Sequence, residues 1–263
     1  MKFLKGFLIN VQFFTSIPIR LSLPMDKVHI EKSILSFPLF GLFQGILYSL
    51  LFYALYEWTP FSMAAVAFLV WLWMIILTGG IHLDGWMDTN DAFFSFQEQD
   101  KRLEIMKDPR MGAFGVISII ILLSSRLFFL YEITTFICSL SYFLILFIPF
   151  LSKNVMGIVL LTIPTAKEEG MAAFFKNAAR PKILWIYPIY IIILIGVMGS
   201  INGNLIYILL MLAITAMGCY LFIRCKVIKW FGGVTGDVLG ATVEGTELIL
   251  WMMVWLLHYF VMV

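Results

Sequence analysis

FSMAAVAFLVWLWMIILTGGI at 61–81 carries no charge, and HLDGWMDTND at 82–91 follows it at once with one histidine and three aspartates. The first stretch is long enough to cross a bilayer as a helix, which takes about 20 apolar residues. If the second is helical, spacings of four and seven put Asp84, Asp88 and Asp91 within roughly 60° of one another, at ~100° per residue. Carboxylates that close repel unless a cation neutralises them. Hard oxygen donors favour Mg2+, and Mg2+ commonly binds together with phosphate. The stretch therefore reads as a membrane helix that opens into a polar, metal-binding mouth.

Composition fixes the class around it. Of 263 residues, 62% are hydrophobic and 13% charged, and mean hydropathy is +0.97. Soluble domains run near 45–50% apolar and about 25% charged, so a soluble globular fold is excluded. A net charge of +2 gives no support for nucleic-acid binding. Cys138, Cys219 and Cys225 lack metal-ligand spacing and lie in or beside apolar runs, so no disulfide framework is expected. The start, MKFLKGFLINVQFFTSIPIR, has no small-residue cleavage site and reads as an amphipathic helix at the interface, with Lys2 and Lys5 toward headgroups.

Apolar runs predict seven spans, at Ile34–Trp58, Phe61–Ile81, Ala113–Tyr131, Thr135–Ile163, Ile183–Gly199, Leu205–Ile223 and Val238–Met262. The expected fold is all-α, a single integral membrane catalytic domain over 1–263 with seven transmembrane helices and the N-terminal interfacial helix. Segments 1–33, 82–112, 164–182 and 224–237 hold five, four, four and three Lys or Arg, and the turns on the other side hold none. The positive-inside rule puts the N-terminus and the long loops in the cytoplasm of a multi-pass cell-membrane protein.

Three further constellations stand out. In QEQDKRLEIMKDPRMGAFG at 97–115, Lys107 and Arg110 border a glycine-bearing turn and are candidate phosphate contacts, while Lys101 and Glu104 read equally well as a solvated surface pair. In WFGGVTGDVLGATVEGTELILW at 230–251, five glycines permit close backbone approach, and Asp237 and Glu244 share a helix face. Glu244 inside an apolar span is a functional candidate; the plainer alternative is a buried pair with Lys153 that only holds helices together. In PTAKEEGMAAFFKNAARPK at 164–182, a basic loop containing Lys167, Lys176, Arg180 and Lys182 would meet anionic lipid or close over an anionic substrate. His82 is either a structural hydrogen-bond partner or a general base.

HLDGWMDTNDAF, KRLEIMKDPRMGAFG, AKEEG and GGVTGDVLGATVE together resemble the motifs of the cobalamin synthase family, the adenosylcobinamide-GDP ribazoletransferases, and the resemblance runs the length of the chain. It implies a Mg2+-dependent transferase that joins adenosylcobinamide-GDP to α-ribazole or its 5′-phosphate and releases GMP, the last assembly step of cobalamin. Position by position it carries over His82, Asp84, Asp88, Asp91, Arg102, Lys107, Arg110, Thr235, Asp237 and Glu244. Ala92, Pro109 and Lys153 stand where family members commonly have Gly, Ser and Arg.

The expected site follows. Asp84, Asp88 and Asp91 hold Mg2+; Asp91, His82 or Asp88 does the acid–base work; Lys107, Arg110, Arg102, Lys153, Thr235, Asp237 and Glu244 bind substrate. The expected partners are the two substrates and the lipid bilayer, with a second copy or other corrinoid-pathway enzymes as candidate protein partners and no nucleic acid. Two rival classes have weaker support. A CDP-alcohol phosphotransferase needs Ala-Arg after D-G-x-x, where this chain has Asp88-Thr89. An ion-coupled transporter would be expected to show an inverted repeat, and none is visible.

Overall fold

A computed structural model describes residues 1–261. Helices dominate, and the one β pairing among the described residues is an isolated bridge between Thr165 and Val234. The chain opens with α1 (Lys2–Phe14) and α2 (Lys27–Leu35), and the long α3 (Phe37–Trp58) follows. Asp26 starts α2 by accepting from the Val28 and His29 backbone N–H groups, as an N-cap carboxylate does. The first predicted span thus begins later than Ile34, because a separate short helix ends there. Nor does α1 merely float at the interface. Gly6 lies against the Lys32–Ser33 backbone of α2, and buried Asn10 donates to Ser33 O at 2.9 Å and Ser36 Oγ at 3.0 Å.

The decisive run forms α4 (Met63–Thr78) and α5 (Ile81–Phe94), set at 86° to each other. Gly79 and Gly80 make the corner with φ of +60° and +77°, a left-handed conformation that glycine adopts without steric cost. Ser16 fastens the same corner, donating from its N–H to Leu77 O at 2.8 Å and from Oγ to Ile76 O at 2.7 Å. Near its start α5 packs on Gly240, and near its end on Gly112 and Gly115. These glycines lie at the N-terminal ends of α12 (Gly236–Phe260) and α7 (Ala113–Thr135). The expected second span therefore ends at the glycine corner, and α5 lies across one mouth of the bundle instead of continuing through it.

Short α6 (Gln99–Ile105) leads to α7, and a break at residues 136–138 separates α7 from α8 (Ser139–Thr162). The core gathers around α8, buried along most of its length. Gly41 and Gly45 of α3 have room for no side chain against the Pro149 and Leu146 backbone of α8. After α8 come α9 (Met171–Ala178), a 3-10 turn at Pro181–Trp185, α10 (Ile186–Ile201) and α11 (Asn204–Phe231). Six helices, α10 extended by its 3-10 turn, are long and apolar enough to cross a membrane, and the bent pair raises the number to seven. This is a polytopic membrane protein. The predicted sixth span stops at Ile223, but α11 runs on to Gly232 (φ +71°), since nothing before that glycine breaks the helix. Arg224, Lys226 and Lys229 ride its last two turns instead of a loop. The predicted end of the seventh span, Met262, lies outside the described residues.

A charged knot ties the centre together. Arg126 of α7 pairs with Glu244 of α12 at 2.6 Å and approaches Glu247 at 3.9 Å, and Lys153 of α8 stands 3.8 Å from Glu247. Ser152 donates to Glu247 at 2.9 Å. All four charged residues are buried, two of each sign, so the knot is formally neutral. Burial of unpaired charges would be prohibitive here.

Candidate functional site

The α5 carboxylates meet the start of α12. A Cβ on Gly85 would stand 2.7 Å from Asp237 O, so glycine is what lets the two helices approach and bring Asp84 close to Asp237. Asp88 is pushed up to about 6, first by burial and then by Asp84, Asp237 and Asp91, whose charges all bear on it. Asp91 is otherwise engaged. Its carboxylate accepts from Gly112 N–H at 2.8 Å and Gly115 N–H at 2.7 Å, capping α7, whose own N-cap position is a glycine.

The raised Asp88 value has a definite sign. The folded chain keeps a proton that the unfolded chain releases near 3.8, so this group's contribution to stability is full below about 3.8 and is lost as pH rises through about 6. The metal-free protein should therefore gain more thermal stability between about pH 7 and about pH 5 than the Asp88→Asn variant does. Parallel melting curves for the two proteins check this.

Asp237 also opens onto a cleft of about 710 Å³, walled by Lys107, Lys167, Glu168, Glu169, Gly170 and Thr235 among others. Its two sides are stitched together, with Ala166 N–H donating to Val234 O at 3.0 Å and Val234 N–H to Pro164 O at 2.8 Å. Gly233 allows this, since a Cβ there would meet Pro164 O at 2.5 Å. The N-terminal residues of α9 and of α12 both line the cleft. Unsatisfied N–H groups at such ends attract anions. Lys107 lies beside Lys167, and Lys167 is lowered by burial first and then by that neighbouring charge. Arg180 holds Glu31 with two hydrogen bonds, at 2.8 and 2.6 Å, fixing the far end of α9 against α2.

The predicted site residues separate into those at this cleft and those elsewhere. Lys107, Thr235 and Asp237 line it, and Thr235 Oγ1 also caps α12 by accepting from Val238 N–H at 3.2 Å. Arg102 donates to Trp230 O at 3.3 Å and lies over the Phe93 ring, closing the end of α11. Arg110 is exposed and chelates Asp108 at 2.8 and 2.5 Å, which pulls Asp108 down to about 2. Lys153 and Glu244 belong to the buried knot, where Glu244 pairs with Arg126 and not with Lys153. His82 is buried, stacks on Phe14 at 5.4 Å between ring centres, and leaves Nε2 without a partner. In the basic loop, Lys176 is turned inward onto Ile163 O, and Arg180, itself exposed, pairs with Glu31. Sequence reasoning placed Lys167 in a basic patch without assigning it to the site, and it missed the N-terminus of α9. Gly170, at φ +104°, was the available signal.

Among the described residues no three His, Cys, Asp or Glu side chains form a ready metal cage. That does not argue against Mg2+, which is usually held by one or two carboxylates with water and substrate phosphate completing the shell. Asp84 and Asp237, with Asp88 adjacent, supply that kind of donor set.

Helices long and apolar enough to cross a bilayer, with a cleft that sets carboxylates beside lysines at the helix ends, fit the class of polytopic membrane enzymes. The chain belongs to the cobalamin-5-phosphate synthase family, whose model matches residues 6–255. The adenosylcobinamide-GDP ribazoletransferase of Geobacillus sp. (strain WCH70) is 39% identical over 259 residues, 98% of each chain. The protein of the same name from Clostridioides difficile (strain 630) is 33% identical over 263 residues, 97% of this chain and 99% of its own. That of Halalkalibacterium halodurans is 32% identical over 262 residues, covering 96% and 95%. No solved structure matches.

Proposed function

We propose that this protein joins adenosylcobinamide-GDP to α-ribazole or its 5′-phosphate with release of GMP, using Mg2+, at the cytoplasmic face of the cell membrane. The observation that carries the reading is one cleft in which Asp237, close enough to Asp84 and Asp88 for their charges to bear on one another, is set with Lys107, Lys167 and two helix N-termini. A pyrophosphate bridged to a divalent cation needs those two kinds of wall. The loops on this face hold sixteen of the eighteen basic residues or the helix ends next to them, which supports the cytoplasmic placement.

Asp84 and Asp237 would hold Mg2+. When bound, it would supply positive charge to the phosphate oxygens. Lys107, Lys167 and the α9 N–H groups bind and orient the pyrophosphate. The acceptor ribose hydroxyl forms a new O–P bond to the cobinamide-side phosphorus, and the bond from that phosphorus to the GMP oxygen breaks. Asp88 takes the hydroxyl proton. Asp91, occupied by two backbone donors, is less free to act as the base. The departing GMP carries its negative charge away beside the lysines.

The test is GMP release by detergent-solubilised protein given both substrates, with and without Mg2+. A carrier needs a sealed compartment and would release none. Lys167→Ala should lower kcat/KM for adenosylcobinamide-GDP by about 10- to 100-fold, the usual worth of a hydrogen bond to a charged group. Steady-state kinetics with the nucleotide varied would measure it.

A further inference from the structure

A second cavity, of about 200 Å³, lies between α1, the start of α3, α5, α8, α9 and α12 and shares Asp84 and Asp237 with the site described above. Its walls are strongly aromatic: Phe13, Phe14, Phe37 and Phe175 line it, with Met156 and Leu160 of α8. The rings form a continuous set. Phe14 and Phe37 stand 5.9 Å apart edge to face, Phe37 and Phe175 6.4 Å apart and stacked, and Phe13 and Phe175 6.0 Å apart.

We propose that this cavity seats the aromatic base of the acceptor nucleoside, a flat fused-ring nitrogen heterocycle, with His82 Nε2 as its hydrogen-bond partner. An apolar cavity of about 150 Å³ accepts benzene, so the present one suits two fused rings. Aromatic walls bind such a ring by offset and edge contacts. His82 is 3% exposed and lines the cavity, and its Nε2 has no partner. A buried polar atom left unmatched is costly, and a ligand that matches it gains selectively. In a benzimidazole nucleoside one ring nitrogen carries the ribose and the other is free to accept from Nε2–H. A base seated here sets its ribose beside Asp84 and Asp237, facing the phosphate cleft across Asp237. The inference rests on the proposed transferase reading for the identity of the acceptor, and it gives each substrate its own compartment on either side of that aspartate.

Two variants test it. His82→Phe keeps a flat ring and removes the nitrogen, and Leu160→Trp fills the cavity from α8. Each should raise KM for α-ribazole by about tenfold or more while KM for adenosylcobinamide-GDP stays within about twofold. Calorimetric titration of the solubilised protein with benzimidazole alone should show binding to the wild type, weaker binding to His82→Phe and none to Leu160→Trp. Where Leu160→Trp fails to fold, His82→Phe carries both measurements. Equal rises in both KM values, or no benzimidazole binding by the wild type, would overturn the assignment. If the wild type releases no GMP, the transferase reading falls, and the benzimidazole titration still decides whether the cavity takes such a ring.

Discussion

Asp84→Asn is expected to cut GMP release by about 10²- to 10³-fold, the loss usual for removing one fixed electrostatic element from an active site, while leaving the protein folded. Asp84 makes no hydrogen bond that holds helices together. Its neighbours are Asp237 and Asp88, so neutralising it relieves repulsion in the metal-free protein. Asp91→Asn should behave in the opposite way. An amide can accept from only one of the Gly112 and Gly115 N–H groups and turns its own NH2 toward the other. Loss of that cap should cost about 1–2 kcal/mol, read as a lower melting temperature with a smaller effect on kcat. Measuring GMP release and melting temperature on both variants separates the two roles. If Asp84→Asn keeps full activity, the carboxylate wall has no part in the reaction.

The second large effect concerns the buried knot. Arg126→Gln should cost about 3–5 kcal/mol, because it leaves Glu244 and Glu247 with Lys153 as the one remaining cation of the group. That is a large fraction of the roughly 5–15 kcal/mol that holds a typical domain folded. Folded yield in detergent, read by gel filtration, should collapse. Combining Arg126→Gln with Glu244→Gln keeps the group neutral and should recover most of the yield, giving a favourable coupling between the two sites. The double variant also decides what Glu244 is for. Recovered folding with recovered GMP release makes it a helix tie; recovered folding without turnover gives it a part in the chemistry.

Much of the fold was legible because membrane spans announce themselves by length. The run from Phe61 needed no context to read as a bilayer helix. Its end was read at Ile81, just past Gly79-Gly80, and the spelling alone did not say that the chain would turn through 86° at those glycines. Short polar-rimmed helices were harder. Those at Lys27–Leu35 and Met171–Ala178 are too brief for a strong periodic signal, and they are held by docking, the first on α1 and the second chiefly on α2. The site was legible as a set of motifs but not as an assignment of tasks. Arg102, Lys107 and Arg110 lie within nine residues and carry the same charge, yet one closes a helix, one faces the cleft and one chelates an aspartate on the surface. Spacing along the chain could not distinguish them, because each role depends on what a distant segment presents. The pairing of Glu244 with Arg126 was hidden for the same reason, since 118 residues separate the partners.

The small bridge between Thr165 and Val234 has a consequence for how this cleft works. It makes the strand of chain bearing Lys167 and the turn leading to Asp237 one mechanical piece, held by backbone bonds and not by side chains. The freedom of two loops is therefore given up once, when the protein folds, and not again at each turnover. A site assembled in advance has its charges already aimed when a pyrophosphate arrives, so little reorganisation is left to raise the barrier.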